Sequence, residues 1–120
     1  MINANKELQR RLLEIYGNNF VSEILAAEII YGDKDYDEDN DEFESKHINL
    51  PVVSEPYSLE QVHYFLDSLD FEYPNGYGLQ YLYGTVWMKD GSWLERKEYD
   101  GSEWWVCKKT PKIPEHLFKK

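Results

Sequence analysis

The stretch Asp33-Lys-Asp-Tyr-Asp-Glu-Asp-Asn-Asp-Glu-Phe-Glu44 places a carboxylate at nearly every second position. Burying one unpaired carboxylate costs several kcal/mol or forces its protonation. The segment must therefore lie in water, bind a cation or face a basic partner. Around it, the 120 residues suit one domain with a core that needs no staples, and ten Tyr, five Phe and four Trp supply apolar bulk that disordered chains lack. Cys107 is the single cysteine, which excludes an intramolecular disulfide. With no apolar run of about 18 residues and no charged-then-apolar leader, the chain reads as a soluble cytoplasmic protein.

The net charge of −10 is unevenly spread: residues 1–32 carry −1, 33–46 carry −6, 47–78 carry −5 and 79–120 carry +2. An acidic body of this kind repels phosphates, so direct nucleic-acid binding is not expected, and a basic protein surface is the better partner.

Apolar spacing predicts a helix from Ala4 to Tyr16 through Leu8, Leu12, Ile15 and Tyr16, stopped by Gly17. Asn18 or Asn19 offers a cap for a second helix, whose stripe of Phe20, Ile24, Ala27 and Tyr31 ends at Gly32. Pro51 and Pro56 discourage helix between Ser45 and Glu55. Ser58 and Gln61 form a capping box for a third helix, with Leu59, Val62, Phe65, Leu66 and Leu69 on its apolar face. Beyond the Pro74 to Gly78 turn, the runs Leu79–Met88, Ser92–Glu98 and Ser102–Lys109 read as three strands joined at Asp90-Gly91 and Asp100-Gly101. The expected fold is α+β: two to three helices packed on a three-stranded antiparallel β-meander. In one domain, 1–120, the expected parts are helical 1–32, an acidic loop 33–46, a helix 57–70, the meander 79–110 and a tail 111–120.

Register decides which aromatic side chains face out. Two-residue turns would set Glu98 against Glu103, a like-charge pair. Three-residue turns with a bulged glycine pair Trp87 with Trp93 and Val86 with Leu94, then Lys97 with Glu103 and Leu94 with Val106. Val86, Met88, Leu94, Trp104 and Val106 then face the helices. Tyr81, Tyr83, Trp87, Trp93, Trp105 and Cys107 occupy the other face, more aromatic surface than a chain leaves wet without use.

No catalytic constellation is visible. His47, His63 and His116 have no Cys, Ser or ligand companion at motif spacing, and Cys107 has no base placed to activate it. Glu95, Glu98 and Glu103 are the strand carboxylates that a small hydrolase would use. In the acidic run, Asp33, Asp35, Asp37, Asp39, Asp41 and Glu44 fall at positions 1, 3, 5, 7, 9 and 12 of a pattern that resembles the calcium loop of EF-hand proteins. Glu38, however, stands where that loop needs glycine, and Asn40 where it usually has a small apolar residue, so a calcium-responsive module is an alternative and no metal or cofactor is expected. Extended, the same run sets charges about 6.7 Å apart, comparable to phosphates along a nucleic-acid strand.

The segment Gly84-Thr-Val-Trp-Met-Lys-Asp-Gly-Ser-Trp-Leu-Glu-Arg-Lys-Glu-Tyr-Asp-Gly-Ser-Glu-Trp-Trp105, followed by Pro111-Lys-Ile-Pro114, resembles the ending of small uncharacterised proteins encoded by bacteriophages and bacteria. The resemblance covers about a quarter of the chain and transfers no catalytic residue. By analogy with the inhibitors that phages direct at host nucleases, restriction enzymes and CRISPR complexes, it implies a non-enzymatic inhibitor acting in the host cytoplasm through a nucleic-acid-mimicking surface. The expected partner-binding residues are Asp33, Asp35, Asp37, Glu38, Asp39, Asp41, Glu42 and Glu44, with Tyr83, Trp87, Trp93 and Trp105 as aromatic anchors.

Overall fold

Asn3 opens the first helix, α1 (Ala4–Tyr16), by accepting the Lys6 N–H on its side chain at 3.0 Å. Ala4, Leu8 and Leu12 lie one turn apart and are buried, each leucine contributing roughly 1.5–3 kcal/mol. Gly17, at φ +82, ends the helix by donating its N–H to the Leu13 carbonyl. The computed structural model describes residues 1–32, 46–53, 58–74, 80–99, 102–110 and 115–118. The acidic run, and with it the EF-hand-like spacing, lies outside them, as does the Asp100-Gly101 turn.

The second expected helix is instead a strand. After a 3-10 turn at Phe20–Glu23, the chain extends as β2 (Ile24–Tyr31). Its register shifts at Leu25, where Ile24 pairs with Met88 and Ala26 with Trp87. That bulge turns Ile24 and Ala27 to the same side three residues apart, a spacing that imitates a helix in sequence. The β-branched Ile24, Ile29 and Ile30 suit the strand.

The fold is thus a sheet-rich α+β domain, not helices on a three-stranded meander. Among the described residues, a five-stranded antiparallel sheet runs in the order β3-β2-β5-β6-β7, with β3 (Lys46–Leu50), β5 (Leu82–Met88), β6 (Trp93–Tyr99) and β7 (Ser102–Lys108). A two-stranded ribbon pairs β1 (Ile2–Asn3) with β4 (Glu72–Tyr73). The second α-helix, α2 (Leu59–Asp67), starts as expected, with the Ser58 side chain accepting the Gln61 N–H. Val62, Phe65, Leu66 and Leu69 are buried, while Leu59 remains exposed. A 3-10 turn spans Glu115–Phe118.

The core lies between the two α-helices and one sheet face, where Leu8, Leu12, Val62 and Phe65 join Ile24, Ile29, Leu82, Val86, Leu94 and Trp105. Gly84 is required there. It sits at φ +151 opposite Ile29, and a Cβ would run into the Glu28 carbonyl oxygen.

The two hairpins of the meander differ. In the first, Met88 and Ser92 close a three-residue loop with Gly91 at φ +90, and Trp87 faces Trp93 as expected. The second pairs Tyr99 with Ser102, so Glu98, not Lys97, lies opposite Glu103, and Leu94 opposite Cys107. This one-residue change exchanges the faces of the neighbouring tryptophans. Trp105 is buried at 2% exposure, whereas Trp104, expected inside, is 37% exposed. Tyr81 and Cys107 likewise pack against the core, and Val106 is only half-buried.

Candidate functional site

The sheet face away from the α-helices carries an aromatic row. Tyr83 pairs with Ile30, Trp87 with Ala26 and Trp93, and Trp104 with Lys97, which puts all three tryptophans and Tyr83 on this side. Trp87 is 40% exposed, and Tyr83 and Trp93 are half-buried. Glu95, between them, is ion-paired with Lys108. Of the four expected anchors, the structure brings Tyr83, Trp87 and Trp93 together, replaces Trp105 by Trp104, and leaves the carboxylates of residues 33–44 outside the described residues. In the described part of the acidic body, Glu14 on α1, Glu28 on β2, and Glu60, Asp67, Asp70 and Glu72 on and just after α2 are exposed.

On the inner face, sequence reasoning missed a buried charge cluster. Arg96 Nη1 donates to Glu7 Oε1 at 2.8 Å, and its Nη2 donates to Glu103 Oε1 at 2.6 Å and to the Tyr73 hydroxyl at 2.9 Å. Tyr73 in turn donates to Glu7 at 2.6 Å. Glu103 also accepts the N–H groups of Tyr81 and Leu82, so both its oxygens are engaged. The guanidinium lies over the Trp105 ring, 5.1 Å from its centroid. Burial opposes the arginine's charge, but Glu7, Tyr73 and Glu103 outweigh it and raise its pKa. Tyr73 is raised as well, by burial first. The available signal was an arginine on the apolar phase of β6, two residues after Leu94.

The strand carboxylates do not converge. Glu95 points to the outer face and Glu103 to the interior, its oxygens already bonded. His47, His63 and His116 are all exposed. Cys107 lies 3.5 Å from the Tyr16 hydroxyl, which bonds Ser92 Oγ at 2.5 Å, and Ser92 donates from N–H and Oγ to Asp90. Burial pushes the Tyr16 pKa up to about 12 against the opposing effect of the Ser92 bond, while the two Ser92 bonds hold Asp90 below its ordinary value. Among the described residues, no group of His, Cys, Asp and Glu could hold a metal ion, and no helix is long and apolar enough to cross a membrane.

A cleft of about 620 Å3 opens between α1 and β7, lined by Ile2, Lys6 and Arg10 on one side and Trp104, Trp105 and Val106 on the other. Together these features define a sheet-rich α+β domain with one helix-covered face and one aromatic face. Compared with known proteins, the chain matches no family model, no curated protein and no solved structure.

Proposed function

We propose that this chain is a non-enzymatic binding protein that seats a basic protein partner on the outer face of its sheet. The observation that carries this reading is the row of Tyr83, Trp87, Trp93 and Trp104, with Trp87 40% and Trp104 37% exposed and the described α-helices packed on the opposite side. Trp and Tyr are the common anchors at interface centres, because they bury much area for few rotatable bonds. A net charge of −10 selects a basic partner and speeds its approach. The same charge, together with the phage-like C-terminal segment, favours a host nucleic-acid-binding or defence protein as the target of inhibition. The position of the strand carboxylates lends no support to a hydrolase.

The test is affinity capture from a host lysate at low and high salt, followed by binding kinetics with the recovered protein. Exposed charges act over about 8 Å at physiological salt and mainly set association, whereas buried aromatic anchors mainly set dissociation. Replacing Asp35, Asp37, Asp39 and Asp41 by Asn should slow association and flatten its salt dependence, and Trp104→Ala should speed dissociation. If both variants bind with wild-type kinetics at low salt, neither surface makes the contact and the reading fails.

A further inference from the structure

The cleft between α1 and β7 differs from the outer face in being concave and of a size suited to one small molecule, about 620 Å3. Ile2, Trp104 and Val106 give it an apolar side, and Lys6, Arg10 and Arg11 line it together with Glu7 and Glu14, three cations against two carboxylates. Arg10 and Arg11 both pair with Glu14 in exposed ion pairs, whereas Lys6 makes no ion pair among the described residues. The cleft is also lined by Trp105, whose buried indole N–H has no acceptor among the described residues.

We propose that this cleft binds a small, flat aromatic anion, a carboxylate or sulfonate. The ring lies along Ile2 and the edge of β7, and the acid group meets Lys6. Charge gives the idea a sharp edge. A chain of net charge −10 repels anions at long range. An anion that binds more tightly than its uncharged counterpart must therefore be held by the local cations.

The probes are anilinonaphthalene sulfonate and its uncharged counterpart phenylnaphthylamine, titrated into the isotope-labelled full chain and followed by amide and indole NMR and by fluorescence. The sulfonate should saturate a single site, shift the Trp105 indole signal and the Lys6 and Arg10 amides, and bind about fivefold tighter than the uncharged probe. Lys6 is exposed, so Lys6→Glu should leave the fold intact, weaken the sulfonate about tenfold and change the uncharged probe less than about twofold. Three results would overturn the assignment: no saturable binding, shifts at the Trp87 and Trp93 indoles in place of Trp105, or equal sulfonate affinity in Lys6→Glu.

Discussion

Arg96 and Glu103 meet at 2.6 Å with side chains 1% and 0% exposed. Two charges so far out of water are tolerable only together, because each would otherwise keep its full desolvation cost. Arg96→Ala and Glu103→Ala should therefore each lower stability by about 3–5 kcal/mol in urea unfolding. The double substitution should cost clearly less than the sum, since both remove the same interaction. Additive losses would mean that the pair is not coupled.

Two glycines with positive φ separate backbone strain from steric collision. Gly17, at φ +82, has open space where a Cβ would stand, whereas at Gly84 the Cβ would strike backbone. Gly17→Ala should cost about 1–3 kcal/mol, because φ +82 with ψ −170 is a conformation essentially reserved for glycine. Gly84→Ala should cost more, and should perturb the β2–β5 amides in NMR spectra. Equal melting temperatures for the two variants would contradict the close approach of β5 to Glu28.

Adjacent tryptophans on β7 should behave in opposite ways. Trp105→Ala removes a buried ring that stacks on Arg96 and should lower stability by about 3–5 kcal/mol. Trp104→Ala and Trp87→Ala, on the exposed face, should cost about 1 kcal/mol or less and keep the fold. Denaturant midpoints for the three variants check the register of the last hairpin directly.

Stability should fall in strong alkali through two tyrosines. Tyr16 is raised to about 12 from 10.0, and Tyr73 is raised too. Above pH 10 the unfolded chain releases these phenolic protons while the native state retains them, so the unfolded state binds fewer protons and stability declines as pH rises. The contribution is fully present below pH 10 and is lost for Tyr16 between 10.0 and about 12. Absorbance titration of tyrosinate should show a late-ionising fraction among the ten tyrosines, reduced in Tyr16→Phe, and urea midpoints should drop over the same window.

Much of the fold was legible where local chemistry and packing agree. Gly17 and Ser58 cap as expected from backbone freedom and side chain, and the Trp87 and Trp93 pairing follows from the Asp90-Gly91 turn. Strand β2 was not legible, because the bulge at Leu25 gives Ile24 and Ala27 helical spacing. The last hairpin was misread by weighing only residues directly opposite each other. Glu98 and Glu103 are tolerated face to face because Arg96, diagonal to Glu103, and two backbone N–H groups neutralise one of them. The aromatic face was therefore legible in kind, with one tryptophan exchanged for its neighbour, and the charge cluster was invisible because Glu7 and Tyr73 arrive from distant elements.

Strand order also imposes an order on folding. The β5–β6 and β6–β7 hairpins close over short loops, but Ile29 finds Gly84 only after the intervening chain, acidic run and α2 included, has been drawn into a long loop. Non-local pairing is slow because chain entropy is lost before contacts repay it. The meander is thus expected to form first as the template, with β2 joining late and carrying β3 with it. Leu94→Ala should accordingly slow refolding, whereas Ala27→Gly should mainly speed unfolding.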